Sequence, residues 1–287
     1  MSDAMNGLEL RQRPRDERVA QLARELEARG VFEPSRAAQP LARLLDAAGF
    51  ALALPDVLTA IAAAASPTAA AFALEDVSNQ MIERSLDPMG AWIPAALSIL
   101  CPLAGASSWA SRVMTNDPAL LVELTHRLQQ GDLERSARFE RAAERLAATS
   151  DTEDFDRRLR RFRTRHLLRV AARELRGVPV WETAAELADL ASTTLQAALL
   201  HHRHRLEARF GPPDPPNRAV IIGMGKLGGR ELNFSSDIDV IYVYEHDDGL
   251  VGDLAPHPFF VKLFERVTAS LRDVTASGFV FRVDLDL

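Results

Sequence analysis

The sequence predicts an α+β protein in which a large all-helical region precedes a small domain with a mixed sheet. Before residue 210, apolar residues recur at helical spacings of three and four, as in 15–29 and 38–48. Four prolines then fall within six residues, 211–216, which neither a helix nor a sheet accommodates. Short β-branched runs follow. We therefore expect a helical region over 1–210, a Pro-rich linker over 211–217 and a second domain over 218–287.

Composition and charge narrow the class of function. With 34 basic and 40 acidic residues the net charge is -6, which argues against a nucleic-acid binder, because phosphate contacts need a basic surface. Cys101 is the one cysteine, so a disulfide framework and a cysteine zinc site are excluded. The sequence shows neither a signal-peptide pattern nor a long uncharged apolar run, so we expect a cytoplasmic protein without a membrane span.

Two polar clusters in the helical region allow more than one interpretation. The segment 155–175 is rich in arginine, which suits either a surface for an anionic partner or, as is more usual, a solvated face with acidic neighbours. Three histidines, His201, His202 and His204, fall on different faces of a helix among arginines. We expect them to be solvated rather than to bind a metal.

The small domain is predicted to contain three strands. The run 219–222 predicts a buried strand, 237–244 a second, and the strictly alternating 279–287 a third. A short helix is expected between the first two strands and a longer helix over 259–271.

A glycine-rich turn follows the first strand. Glycines allow close backbone approach, and exposed amides at such a turn can hold phosphate oxygens. Gly228 and Gly229 are placed for that role, with Lys226 and Arg230 as flanking positive charges. Glycines that serve only a tight turn would explain the pattern equally well.

Three acidic residues are candidates for a metal site. Asp237 and Asp239 stand two apart on a strand, so both carboxylates point to one face. Their repulsion would be relieved by a divalent cation. Asp284 projects beside them if the third strand is a neighbour. Three carboxylates around two Mg²⁺ ions are a common arrangement for displacement at phosphorus.

A dinucleotide-binding fold is a distant alternative. Gly223, Gly225 and Gly228 match its glycine fingerprint, and Glu245 stands near the position of the ribose-binding acid. Only about nine residues separate Gly228 from the next strand, however, which is too few for a crossover helix. That interpretation also assigns no role to Asp237 and Asp239.

The motif resembles a known superfamily. A glycine pair, Asp-x-Asp on the next strand and an acid on a later strand are typical of DNA polymerase β-like nucleotidyltransferases. Within it, residues 223–239 (GMGKLGGRELNFSSDID) are similar to the bifunctional glutamine synthetase adenylyltransferase/adenylyl-removing enzymes. Weaker similarity extends over about the last two-thirds of the chain. Glu231-Leu232-Asn233 and Ile238 look more like the N-terminal, adenylyl-removing half of these multifunctional enzymes.

The resemblance implies a nucleotidyltransferase that acts in the control of nitrogen assimilation. Phosphate would attack the AMP–tyrosine bond of modified glutamine synthetase and release ADP, whereas the opposite half would transfer AMP from ATP. The resemblance assigns metal ligands to Asp237, Asp239 and Asp284, and phosphate or nucleotide contacts to Gly228, Gly229 and Ser236. It also implies Mg²⁺, ATP or ADP, and a PII-type signalling protein as regulator.

Two departures from the family leave an alternative open. Asp286 stands where the family has an arginine, and the sequence stops at Leu287, within the expected catalytic domain. We therefore expect an incomplete nucleotidyltransferase domain. The alternative is an inactive, C-terminally truncated fragment that acts only as a binding or structural module.

Overall fold

The computed structural model describes residues 7–129, 138–275 and 278–285. The chain divides into two compact units, Met1–Glu134 and Arg135–Leu287. None of the helices in the described ranges is both long enough and apolar enough to cross a membrane.

The first unit is helical throughout its described part. Helix α5 shows how the sequence sets the helix starts: the Ser66 Oγ accepts a hydrogen bond from the Ala69 amide at 3.3 Å, and Pro67 fills the first helical position. The core contains Trp92, whose ring meets Phe50 edge-on and whose Nε1 donates to the Ser78 Oγ at 2.8 Å. The helices are α1 (Gly7–Arg11), α2 (Arg15–Glu27), α3 (Pro34–Leu44), α4 (Phe50–Ala62), α5 (Pro67–Glu83), α6 (Met89–Trp92), α7 (Pro94–Ala106), α8 (Ser108–Asn116) and α9 (Ala119–Gln129).

The second unit combines helices with strands. Its 31-residue helix α12 packs against α10, α11 and α14. The helices are α10 (Arg138–Ala147), α11 (Thr152–Glu174), α12 (Val180–Phe210), α13 (Gly225–Gly228) and α14 (Pro256–Arg272), and the strands are β1 (Pro213–Asp214), β2 (Ala219–Gly223), β3 (Ile238–Tyr244), β4 (Leu250–Val251) and β5 (Val283–Asp284). Three helices that precede residue 210 thus lie in the same compact unit as the strands, whereas we expected the division at 210.

Strands β2, β3 and β5 form a mixed sheet, as predicted, in which β3 lies in the middle. Strand β3 pairs antiparallel with β2 and parallel with β5. Helix α14 covers one face of the sheet, where Tyr242 stacks on Phe264 and Tyr244 on Phe260, each with ring centroids 4.6 Å apart. The aromatic residues of β3 therefore pack against α14, and Asp239 lies on the opposite face of the strand.

Two strand predictions were wrong in detail. Strand β2 is not buried, since Val220 is 52% and Ile222 44% exposed; both side chains lie on the face opposite α14. The last strand does not alternate strictly, because Val280 and Phe281 are both buried and regular pairing is confined to β5. Both of their amides donate to the Leu271 carbonyl, which turns the backbone out of the strand conformation before β5 begins.

The Pro-rich segment does join a sheet, contrary to expectation. Helix α12 ends at Phe210 as predicted, but Pro213–Asp214 then pairs antiparallel with Leu250–Val251 in a two-stranded ribbon. A proline is tolerated there because the strand is short and at an edge, where a missing amide donor costs little.

The arginine-dense helix and two of the histidines are less solvated than predicted. Arg160 and Arg169 are buried, and the latter forms an interior cluster with Glu186 and Arg173. His201 and His202 are also buried because α12 packs against α10 on one side and α14 on another, whereas His204 is exposed as expected.

Candidate functional site

The glycine-rich turn after β2 closes into the short helix α13, as predicted. The backbone passes so close to β2 that a Cβ on Gly228 would lie 2.5 Å from the Gly223 carbonyl oxygen. Leu227 is buried beneath the turn and anchors it. A glycine is therefore required at 228 by the close approach of two backbone segments.

The amides of the glycine pair are already used within the turn. The Gly228 amide donates to the Met224 carbonyl at 2.9 Å, and the Gly229 amide to the Gly225 carbonyl at 3.0 Å. Because each amide carries a single hydrogen, neither is available to a phosphate in this arrangement. The expected phosphate contact through these two amides stays a prediction that would require the turn to open.

The two aspartates of the Asp-x-Asp pattern share a face of the chain, as predicted from the strand period. Ile238 and Val240 between and after them are buried, whereas Asp237 is exposed and Asp239 partly exposed. Strand β3 begins at Ile238, so Asp237 lies directly before it. Both carboxylates therefore lie on the face opposite α14.

Gly225 shapes the surroundings of Asp239. Its φ is +49°, and a Cβ built on it would lie 2.3 Å from the Asp239 Oδ2. The Met224 amide donates to the Asp239 carbonyl at 2.8 Å, which joins the turn to the same residue of β3. The carboxylate of Asp239 thus occupies space that only a glycine at 225 leaves open, a contact that spacing alone did not predict.

The third acid lies beside the second. In the parallel pairing of β3 with β5, Asp239 and Asp284 are direct register partners. Adjacent strands are about 4.8 Å apart, and register partners in a parallel pair point to the same face. Asp284 therefore lies beside Asp239 on one side of the sheet, and the approach of all three carboxylates to one another stays a prediction. Asp286 lies outside the described residues.

Asp237 has a partner that the sequence analysis did not identify. Arg282 precedes β5 as Asp237 precedes β3, and the Arg282 Nε forms an ion pair with the Asp237 Oδ1. The Arg282 Nη2 donates to the Ser235 carbonyl at 2.7 Å. The alternation predicted for 279–287 would put Arg282 and Asp284 on one face, and this pattern is the signal from which the pair could have been found.

The flanking residues of the motif are divided between solvent and internal contacts. Lys226 is exposed beside the turn. Arg230 adopts a left-handed φ of +59° and forms an ion pair with Asp189 at 2.7 Å, so its charge is partly neutralised. The Ser236 Oγ accepts a hydrogen bond from the Asn233 amide at 3.2 Å and holds the loop before β3.

The donor set fits a hard divalent cation. Carboxylate oxygens are the ligands that Mg²⁺ and Mn²⁺ prefer, and the register places two of them side by side with a third one step along the same face. In the described part of the chain, no three His, Cys, Asp or Glu side chains are already gathered in ligand geometry. Asp237, one of the three candidate ligands, is instead paired with Arg282.

The direction of the strands excludes the dinucleotide-binding alternative. That fold places its glycine-rich turn between two parallel strands joined by a crossover helix. Strands β2 and β3 are instead antiparallel, with only α13 and a loop between them. The glycine spacing that suggested a dinucleotide fingerprint thus serves a different connection.

Comparison with known proteins gives consistent matches. The family model of glutamate-ammonia ligase adenylyltransferase matches residues 97–287. The bifunctional glutamine synthetase adenylyltransferase/adenylyl-removing enzyme of Thioalkalivibrio sulfidiphilus is 39% identical over 192 residues, which are 63% of this chain and 20% of that protein. The enzyme of the same description from Pseudomonas aeruginosa is 36% identical over 217 residues, 71% of this chain and 22% of that protein. The chain thus spans about a fifth of the length of these curated relatives.

Proposed function

Because this chain belongs to the glutamate-ammonia ligase adenylyltransferase family, we propose that it carries a nucleotidyltransferase site. The site would remove or transfer the AMP group on the regulatory tyrosine of glutamine synthetase. The observation that supports this most directly is the pairing of Asp239 with Asp284 beside the Gly225 turn, on the face that also carries Asp237. The family model matches residues 97–287, a range that includes these three aspartates and Gly225.

We propose that the reaction is removal of AMP. This choice rests on the similarity of residues 231–233 and Ile238 to the adenylyl-removing half of the bifunctional enzymes. An oxygen of inorganic phosphate attacks the α-phosphorus of the AMP–tyrosine ester. The new P–O–P bond gives ADP, the P–O bond to tyrosine breaks, and the phenolate leaving group takes up a proton. Transfer of AMP from ATP is the opposite reaction of the same family.

We propose that Asp237, Asp239 and Asp284 bind Mg²⁺ and that two ions bind at this site. When bound, the cations would orient the attacking phosphate and neutralise charge that develops on the leaving group. The chain itself would position Asp239 through Gly225 and through the Met224 amide. Lys226, exposed at the turn, would attract the phosphates, and Gly228, Gly229, Ser236 and Arg230 are the remaining candidate nucleotide contacts.

The partners follow from the same proposal. Glutamine synthetase would be the protein substrate, and a PII-type signalling protein the regulator. We propose action in the cytoplasm, where a control of nitrogen assimilation would operate. ATP or ADP and phosphate would be the small-molecule substrates or products.

An assay of the purified chain tests the reaction. Adenylylated glutamine synthetase, Mg²⁺ and phosphate are incubated with the chain, and ADP is measured. We expect ADP from the wild type and at least about a hundred-fold less from Asp239→Asn, because a metal ligand is lost. The matched control is Asp253→Asn, an exposed aspartate in the loop before α14, which should keep wild-type activity.

Absence of ADP from a well-folded sample would favour the second candidate, a fragment that acts only as a binding or structural module. The observation on its side is that the amides of the glycine pair are engaged within the turn. Pull-down of glutamine synthetase by an inactive chain would support that candidate. Equal ADP from the wild type and Asp239→Asn would contradict the proposed site.

A further inference from the structure

The ion pair between Arg282 and Asp237 bears directly on how the proposed metal site fills. The two residues immediately precede β5 and β3, and extension of the Ile238–Val283 register by one step makes them neighbours on the aspartate face. The Ile238 amide also donates to the Arg282 carbonyl at 2.9 Å, so the backbones are joined where the side chains meet.

We propose that Arg282 is an internal counter-cation that engages Asp237 before metal binds and lowers the affinity of that carboxylate for the metal. This inference rests on the proposed metal-dependent function. The guanidinium and a divalent cation compete for Asp237, because Arg282 occupies a lone pair of Oδ1 and because its positive charge repels a cation at the same carboxylate. Arg282 would then set the concentration of metal at which the site fills.

Exposure of the pair makes such an exchange feasible. The side chains of Arg282 and Asp237 are 58% and 50% exposed. Ion pairs that solvent reaches are weak, because water and salt screen both charges. The second anchor of Arg282, the Ser235 carbonyl, allows the guanidinium to stay near the site after it leaves the carboxylate.

Asp239 and Asp284 are the two carboxylates that Asp237 would join when metal replaces Arg282. Asp239 and Asp284 are already side by side through their register, whereas Asp237 is turned to Arg282. Release of Asp237 would bring a third carboxylate toward these two, and the described residues show no assembled three-acid group while Asp237 is paired with Arg282. Arg282 is therefore inferred to be a positioning residue that acts through Asp237.

Titration with Mn²⁺ alone, followed by calorimetry or by electron paramagnetic resonance of the free ion, tests the competition. We expect Arg282→Gln to bind Mn²⁺ about two- to five-fold more tightly than the wild type, the range that loss of an exposed ion pair allows. In an Asp237→Asn background the same substitution should change the affinity by less than that. Circular dichroism spectra and melting curves would verify that each variant is folded.

Each other outcome has a definite meaning. Unchanged or weaker Mn²⁺ binding by Arg282→Gln, with binding by the wild type intact, would overturn this inference and leave the proposed function standing. An equal gain in affinity in the wild-type and Asp237→Asn backgrounds would also overturn it, since a charge effect through space would then suffice. Absence of Mn²⁺ binding by both the wild type and Arg282→Gln would overturn the metal site itself.

Discussion

At the scale of single residues, Asp239 depends on a neighbour that carries no side chain. Gly225 combines a left-handed φ with a position where any Cβ would overlap the Asp239 carboxylate. A substitution at 225 therefore has two costs, one in the backbone and one in the placement of Asp239. The backbone strain and the displacement of Asp239 can be separated at Gly177. Its φ is also left-handed, at +89°, but a Cβ there would meet no atom within 4 Å.

We predict that Gly225→Ala lowers Mn²⁺ affinity by about ten-fold or more. The physical reason is displacement of the Asp239 carboxylate, and the strained φ should also cost about 1 kcal/mol of stability. Gly177→Ala should show a similar loss of stability with unchanged Mn²⁺ binding. Metal titration and thermal melting of both variants are the measurements. Wild-type Mn²⁺ affinity in Gly225→Ala would show that the contact does not position Asp239.

At the scale of elements, α11 supports the strand that carries the third acid. The Arg160 guanidinium donates to the Asp273 carbonyl at 3.0 Å and to the Gly278 carbonyl at 3.1 Å. Arg163 lies over the rings of Phe279 and Phe281 at 5.7 and 5.6 Å, and burial lowers its pKa to about 10, so it stays charged at neutral pH. Arginines that suggested a partner surface thus hold the segment between α14 and β5.

We predict that Arg160→Gln destabilises the protein by about 2 kcal/mol or more and also weakens Mn²⁺ binding several-fold. Two charge-assisted hydrogen bonds to backbone carbonyls are lost, and β5 with Asp284 becomes less well fixed. Urea denaturation and Mn²⁺ titration measure the two effects.

The same helix offers a control. Arg157 is exposed and pairs with Asp154 one turn away, so Arg157→Gln should change stability by less than about 0.5 kcal/mol and leave metal binding unaltered. A loss of stability in Arg160→Gln without any change in Mn²⁺ affinity would limit Arg160 to a structural role and contradict its positioning of β5.

At the scale of the whole molecule, stability depends on polar groups inside the second unit. His202 is 3% exposed, and its Nε2 lies 2.8 Å from the Ser270 Oγ. Burial lowers the pKa of His202 to about 3, with further lowering from the charges of His201, Arg266 and Arg205. The folded protein therefore keeps this imidazole neutral at a pH where the unfolded chain protonates it.

We predict that this histidine makes the protein less stable in mild acid. Because the folded pKa is below the unfolded value of 6.5, the contribution is complete above pH 6.5 and is lost as the pH falls from there toward 3. Between pH 7 and 5 the free energy of unfolding should fall by up to about 2 kcal/mol from this group. His202→Gln should remove that part of the pH dependence, whereas His204→Gln, at an exposed position, should retain it. Urea denaturation at several pH values is the measurement, and an unchanged slope in His202→Gln would contradict the prediction.

The comparison of sequence and structure separates what is local from what is not. The strand period placed Asp237 and Asp239 on one face, and the Pro-rich segment marked the end of α12; both follow from covalent geometry within a few residues. The helical pattern of 155–175 was equally clear. It did not show that Arg160 and Arg169 are buried, because periodicity describes a helix and not the elements that pack against it.

The sequence by itself determined the α+β class, the glycine-rich turn and the alternation that aligns the first two acids, since each is a property of a short stretch of chain. Only the tertiary structure decided that Asp284 is the register partner of Asp239, that Gly225 lies against the Asp239 carboxylate and that Arg282 engages Asp237. These contacts join residues 14 to 45 positions apart in the sequence. Local propensity carries no information about such pairings, so the sequence alone could not supply them.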